Sequence, residues 1–237
     1  MQCDQTAPTG ERWLYLHGFA SSPQSAKARA FLGWAGQHGV DLRVLDLRTP
    51  SFEHLRLSAM IDAVRAAIGE GTADPSRERA ILIGSSLGGL TACRVAERDP
   101  RVAALLLMAP AFRLAERWPA RLGAEGWAAW RASGWLEVDD HATGGRSKVD
   151  WGFVEDMTRE DSAGDGWPDV RVPTLLVHGV RDEVVDVELS RAWCRGRKNA
   201  RLVEVDDDHQ LTASIDAILA EATRFFTPYL APSHSTR

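Results

Sequence analysis

Short apolar runs alternate with amphipathic stretches along most of the chain. "WLYLHG" (residues 13–18) is a continuous apolar run closed by glycine, the pattern of a strand covered on both faces. In "SSPQSAKARAFLGWAGQHG", Ala26, Ala30, Phe31, Trp34 and Ala35 recur at helical spacing. Ser21 or Ser22 is the expected N-cap of that helix, Pro23 falls in its first turn, and Gly39 closes it. "VDLRVLDL" reads as a second strand. "SFEHLRLSAMIDAVRAAIGEG" reads as a second helix, with Ser51 as cap and Leu57, Ile61, Val64 and Ile68 on its buried face.

The alternation continues. "AILIG" predicts a third strand, "LGGLTACRVAERD" a helix, and "VAALLLMAP" a fourth strand. Further on come "TLLVHG", a helix around residues 188–194, "ARLVEV", and a last helix in "LTASIDAILAEATRFF". Such a βα alternation predicts an α/β fold: a mostly parallel sheet of about six strands with helices on both faces, in one domain spanning the chain. Residues 111–168 break the rhythm. They hold six of the nine tryptophans, Trp118, Trp127, Trp130, Trp135, Trp151 and Trp167, and a hairpin candidate, "WLEVDDHATGGRSKVDW", turning at Gly144-Gly145. A structureless loop of that length is disfavoured inside a compact domain, so the region is expected to be a small lid or cap.

Composition narrows the function classes. With 44% hydrophobic and 26% charged residues, the chain is that of an ordinary globule with enough apolar residues for a core. The net charge of −5, without a basic stripe, argues against a nucleic-acid partner. No apolar run is long enough to span a membrane, and "MQCDQTAPTGER" lacks the layout of a secretory signal. Cys3, Cys93 and Cys194 show neither metal-ligand spacing nor a disulfide framework, as expected of reduced thiols in a cytoplasmic protein. The tail "APSHSTR" is expected to fray.

The candidate chemistry begins at "ILIGSSLGGL". Gly84-Ser85-Ser86-Leu87-Gly88 fits G-x-S-x-G, in which the central serine sits on a sharp strand-to-helix bend with its oxygen exposed. A serine hydroxyl needs a base to take its proton, and that base needs a carboxylate to fix its tautomer. On such a sheet the three follow in the order serine, acid, histidine. Asp182 lies just past the fifth core strand and His209 just past the sixth, so all three fall at carboxyl ends of strands. Glu183 and Asp186 are nearby alternatives for the acid. Of the seven histidines, His209 alone follows the last core strand and precedes the final helix. The backbone N–H groups of Leu87 and Phe19 are the expected oxyanion donors, with His17 bracing the loop that carries Phe19. Trp118, Trp130 and Trp135 are candidates for lining a substrate pocket.

The combination "LYLHGFASSPQSAKA", "DLRTPSFEHL", "GSSLGGL", "HGVRDEVV" and "DDDHQL" resembles the α/β-hydrolase superfamily and, within it, the small YqiA-like esterases, over residues 13–226. The resemblance implies Ser86 as nucleophile, Asp182 as acid, His209 as base and the turn after His17-Gly18 as half of the oxyanion hole, with no metal or organic cofactor. With the first strand this early, the two leading antiparallel strands of larger members are not expected, and the Trp-rich insertion is expected to exceed what a minimal member needs. The expected activity is hydrolysis of carboxylic esters of small or medium acyl groups. Thioester hydrolysis is the nearest alternative, and a binding module that keeps the hydrolase fold is the other class.

Overall fold

The structure is a computed structural model and describes residues 11–70, 78–161 and 166–230. The expectations for the N-terminal leader, Cys3 and the tail fall outside these residues. Six strands form one parallel sheet: β1 (Arg12–Leu16), β2 (Leu42–Leu45), β3 (Ala80–Ser85), β4 (Val102–Met108), β7 (Thr174–Gly179) and β8 (Ala200–Val205), in the order β2-β1-β3-β4-β7-β8. Every neighbouring pair is parallel.

Period-two alternation divides the strands between two apolar layers. Trp13 and Tyr15 of β1, Ile81 and Ile83 of β3, and Leu175 and Val177 of β7 pack with helix α1 (Ala26–Gln37) and helix α7 (Ile215–Phe226). Leu14, Leu16, Leu82 and Leu176 point the other way, onto helices α2 (Leu57–Gly69), α3 (Leu87–Arg98) and α6 (Val187–Cys194). Among the described residues no helix is long and apolar enough to cross a membrane.

Three helices begin later than their sequence pattern suggests. The N-cap of α1 is Ser25, whose Oγ accepts the Ala28 N–H at 3.3 Å, because residues 22–25 are used in a turn that leaves Ser21 and Ser22 beside the cleft. Helix α2 starts at Leu57 rather than after Ser51; Ser51 Oγ instead accepts the His54 N–H at 3.2 Å, and the Glu53 carbonyl is taken by the Asp150 N–H. Helix α7 starts at Ile215, beyond Leu211, whose φ of 55° is a left-handed conformation no helix interior accepts.

Between β4 and β7 the chain forms helix α4 (Leu114–Ser133), a hairpin of β5 (Trp135–Asp140) and β6 (Gly145–Asp150), and helix α5 (Gly152–Asp161). Gly123, with φ 68° and ψ 168°, breaks α4 into two segments. Gly144 supplies a φ of 72° at the hairpin turn. Trp118, Trp127, Trp130 and Trp151 interlock edge to face behind the hairpin, with ring centroids 4.7–6.0 Å apart. The indole N–H groups of Trp118 and Trp130 have no partner among the described residues. Leaving one unmade costs about 1–3 kcal/mol, whereas burying an indole contributes about 4–6 kcal/mol. Burial prevails.

Two bidentate ion pairs fasten the hairpin to the segment between β2 and α2. Arg48 donates to both oxygens of Asp140, each at 2.8 Å, and Arg56 to both oxygens of Asp150, at 2.7 and 3.0 Å. One pair therefore sits near the turn end of the hairpin and the other at its base.

Candidate active site

Ser86 stands alone between β3 and α3 with φ 52° and ψ −116°. That backbone is costly for a residue with a side chain, and it persists because the surroundings fix it. Its N–H donates to the Met108 carbonyl at 2.9 Å, and its carbonyl accepts the N–H groups of Gly89, Leu90 and Ala111 at 2.9, 3.1 and 3.1 Å. The flanking glycines make the bend possible. A Cβ on Gly84 would lie 2.5 Å from the Gly88 carbonyl oxygen, and one on Gly88 would lie 2.2 Å from that of Leu16. Helix α3 can thus press its first turn against the ends of β1 and β3.

The loops after β7 and β8 bring Asp182 and His209 to the same rim. His209 Nε2 lies 3.1 Å from Ser86 Oγ, and His209 Nδ1 lies 2.7 Å from Asp182 Oδ2. Because the carboxylate only accepts, Nδ1 carries the proton and Nε2 is left to accept from the serine hydroxyl. Asp182 is fully enclosed, with 0% of its side chain exposed. Its Oδ1 accepts the N–H groups of Val184 and Val185 at 2.8 and 2.7 Å. Burial alone pushes its carboxyl pKa up, but hydrogen bonds from His178, His209 and Val185 outweigh it and hold the group well below the usual carboxylate range.

The other acids nearby are occupied elsewhere or point away. Asp186 caps α6 by accepting the Glu188 N–H at 2.9 Å, and Glu183 is exposed. Asp206 pairs with Arg181 at 3.0 Å. Asp207 accepts the N–H groups of Asp208 and Ser214, and Asp208 accepts that of Gln210, so this acidic run shapes the turn that presents His209. Close packing completes it: a Cβ on Gly179 would lie 2.4 Å from the Asp207 carbonyl oxygen.

No hydrogen bond among the described residues takes up the N–H of Leu87 or of Phe19. The loop bearing Phe19 runs directly over the serine, since a Cβ on Gly18 would lie 3.2 Å from Ser86 Cβ. His17 braces it from below. Its Nε2 accepts the Leu47 N–H at 3.0 Å, so its Nδ1 carries the proton and donates to the Gly18 carbonyl at 2.9 Å. Burial lowers the pKa of this imidazole, which keeps that neutral tautomer in place.

A cleft of about 1000 Å³ opens over Ser86 and His209, lined by residues that include Gly18, Phe19, Leu87 and Trp118. Neither Trp130 nor Trp135 lines it, which corrects the expectation for those two. Trp130, 1% exposed, is packed behind Trp118, and Trp135 lies on the outer face of the hairpin against Lys148 and His54. Two residues of the site escape a reading by motif. His178, fully buried at the end of β7, touches Asp182, and Lys27, on the first turn of α1, lines the cleft and binds the Gln210 carbonyl. Among the described residues, no three His, Cys, Asp or Glu side chains are grouped so as to hold a metal ion.

The sequence profile of the uncharacterised protein family UPF0227 matches residues 12–227. Solved structures are similar to nearly the whole chain. Alpha/beta hydrolase domain-containing protein 10 from mouse is 19% identical with a TM-score of 0.74, over 91% of this chain and 89% of that one. Est1E from Butyrivibrio proteoclasticus with ferulic acid bound is 20% identical with a TM-score of 0.71, over 95% and 92%. The esterase domain of a Rhodothermus marinus protein is 22% identical with a TM-score of 0.64, over 95% and 89%. The fold is that of the α/β hydrolases.

Proposed function

This chain belongs to the UPF0227 family, and from that premise we propose that it is a serine hydrolase that cleaves carboxylic esters through an acyl-enzyme. The observation that carries the reading is the unbroken hydrogen-bonded series Asp182–His209–Ser86, at 2.7 and 3.1 Å, opening onto a cleft. Ser86 Oγ attacks the ester carbonyl carbon while His209 Nε2 takes its proton. The carbonyl oxygen becomes an oxyanion, held by the N–H groups of Leu87 and Phe19; losing one such donor lowers turnover by about a hundred- to a thousand-fold. Asp182 steadies the imidazolium without itself taking the proton. The imidazolium then protonates the departing alcohol, and water repeats the sequence on the acyl-serine.

A fluorophosphonate probe and a panel of 4-nitrophenyl esters and acyl-CoA thioesters test the proposal together. The expected result is stoichiometric labelling at Ser86, ester turnover, and loss of both in Ser86→Ala. An unlabelled serine with no hydrolysis of any ester or thioester would instead make the protein a binding module.

A further inference from the structure

The chain carries a net charge of −5, yet five cationic and two acidic side chains line the cleft over Ser86. Both cleft carboxylates, Glu137 and Asp139, face the same cation, Arg146, at 3.3 and 4.0 Å. Lys27, Arg29 and Arg121 have no ion-pair partner among the described residues. Arg29 and Arg121 are exposed at the rim, where water solvates them. Lys27 is different. It is half-buried, and its Nζ donates to one backbone oxygen, that of Gln210, at 2.8 Å.

An ammonium has three donors, so a single carbonyl leaves two of them to whatever enters the cleft. Asp182, Asp207 and Asp208 attract Lys27 from beyond ion-pair distance. Their oxygens are already engaged by His209, Ser214 and Gln210. Burial pushes the Lys27 ammonium down to about 8, in the direction of a cation that lacks a close counter-ion. A neutral ester offers such a group only an uncharged acceptor oxygen, whereas an anion entering the cleft would supply the missing counter-charge as well.

We propose that the ester hydrolysed at Ser86 carries a negatively charged group, bound by Lys27 and drawn in by Arg29 and Arg121 at the rim. This rests on the serine-hydrolase reading and adds the substrate class to it. The test compares kcat/KM for three matched ester pairs. 4-Nitrophenyl hemisuccinate against 4-nitrophenyl butyrate places a carboxylate on the acyl side. 3-Carboxy-4-nitrophenyl butyrate against 4-nitrophenyl butyrate places it on the alcohol. 2-(Phosphonooxy)ethyl butyrate against 2-hydroxyethyl butyrate, followed by acid release, places a phosphate there.

In at least one pair the anionic-to-neutral ratio is expected to fall about tenfold in Lys27→Gln, which keeps a donor for the Gln210 carbonyl, and to recover in Lys27→Arg. It should fall less in Arg121→Gln, and in the unaltered protein as salt rises from about 50 to 500 mM. Ratios unmoved by all of these changes would overturn the proposal. Equal loss of neutral and anionic turnover in Lys27→Gln, with Arg121→Gln and salt without effect on the ratios, would overturn it too and reduce Lys27 to a brace for the His209 loop. In both cases neutral esters are still cleaved and Ser86 still labels, so failure here is distinct from failure of the serine-hydrolase reading.

Discussion

His178 Nε2 lies 3.1 Å from Asp182 Oδ2, the same oxygen that stands 2.7 Å from His209 Nδ1. His178 Nε2 is also 2.8 Å from the Val185 carbonyl, and its Nδ1 is 2.7 Å from Ser190 Oγ. A carbonyl cannot donate, so Nε2 carries the proton and is shared between Val185 and Asp182, while Nδ1 accepts from the serine hydroxyl. His178 thereby positions the acid without touching the cleft. His178→Leu is expected to lower kcat by about ten- to a hundred-fold. KM should stay unchanged, because nothing that meets the substrate is removed. His178→Gln, which restores a donor, should recover part of the loss. Steady-state kinetics on 4-nitrophenyl butyrate reads both, and equal kcat values in all three proteins would remove His178 from this role.

Asp182→Asn should leave the fold intact and nearly abolish turnover. The asparagine oxygen can still accept the Val184 and Val185 N–H groups that hold the loop. What changes is the partner of His209 Nδ1: an amide NH₂ facing it favours the wrong tautomer, at a cost of about 10⁴ in kcat. The same NH₂ also meets the His178 Nε2–H, so Tm should fall by a few degrees while unfolding stays cooperative. Near-normal turnover would shift the role to Glu183 or Asp186, neither of which meets His209 here.

Asp182 does not set the acid limb of the pH–rate profile. Asp182 is held well below the usual carboxylate range by its hydrogen bonds, so it stays ionised throughout that limb. Only the neutral imidazole can take the serine proton, hence turnover rises with pH as His209 deprotonates. The plot of log kcat/KM against pH should climb with a slope of about one, reflecting a single proton. A slope approaching two would mean that a second group titrates in the same range. A flat profile from acid to neutral would exclude His209 as the base.

The sheet and the placement of Ser86, Asp182 and His209 at strand ends were legible because buried parallel strands write themselves as short apolar runs and the bends after them need small or polar residues. Helix starts were less so. Ser21, Ser22 and Ser25 are equivalent as caps on paper, and the turn that selects Ser25 depends on backbone contacts that no residue type announces. Helix α4 was hidden by Pro119, Gly123 and Gly126, which interrupt its periodicity, while its burial comes from tryptophans that interlock with one another. Trp118, Trp130 and Trp135 share a side chain, and only packing sends one to the cleft, one behind it and one outward. His178 and Lys27 stood in an apolar strand and an ordinary helix, where their chemistry comes only from what the fold sets beside them.

The Arg48–Asp140 pair should control how firmly the hairpin closes one side of the cleft. Asp140, with no exposed side-chain surface, also accepts from Ser147 Oγ at 2.8 Å and the Ala142 N–H at 3.0 Å. The Arg48 hydrogen bonds, with those of Ser147 and Ala142, overcome burial and hold its carboxyl far below the ordinary value. A carboxylate depressed in the folded state contributes stability in full above its unfolded pKa, about 3.9, and loses it as pH falls through the folded value. Asp140→Asn imposes the discharged state at neutral pH and leaves Arg48 without its counter-ion. Arg48 is 19% exposed and can recover some hydration, so the expected loss is about 1–3 kcal/mol, a few degrees in Tm. Because the Arg56–Asp150 pair still holds the base of the hairpin, the loosening should be local. Hydrogen exchange should quicken at residues 136–148 while the β3 amides stay as protected as before. Unchanged exchange in the hairpin, or equal quickening in β3, would show that this ion pair does not govern it.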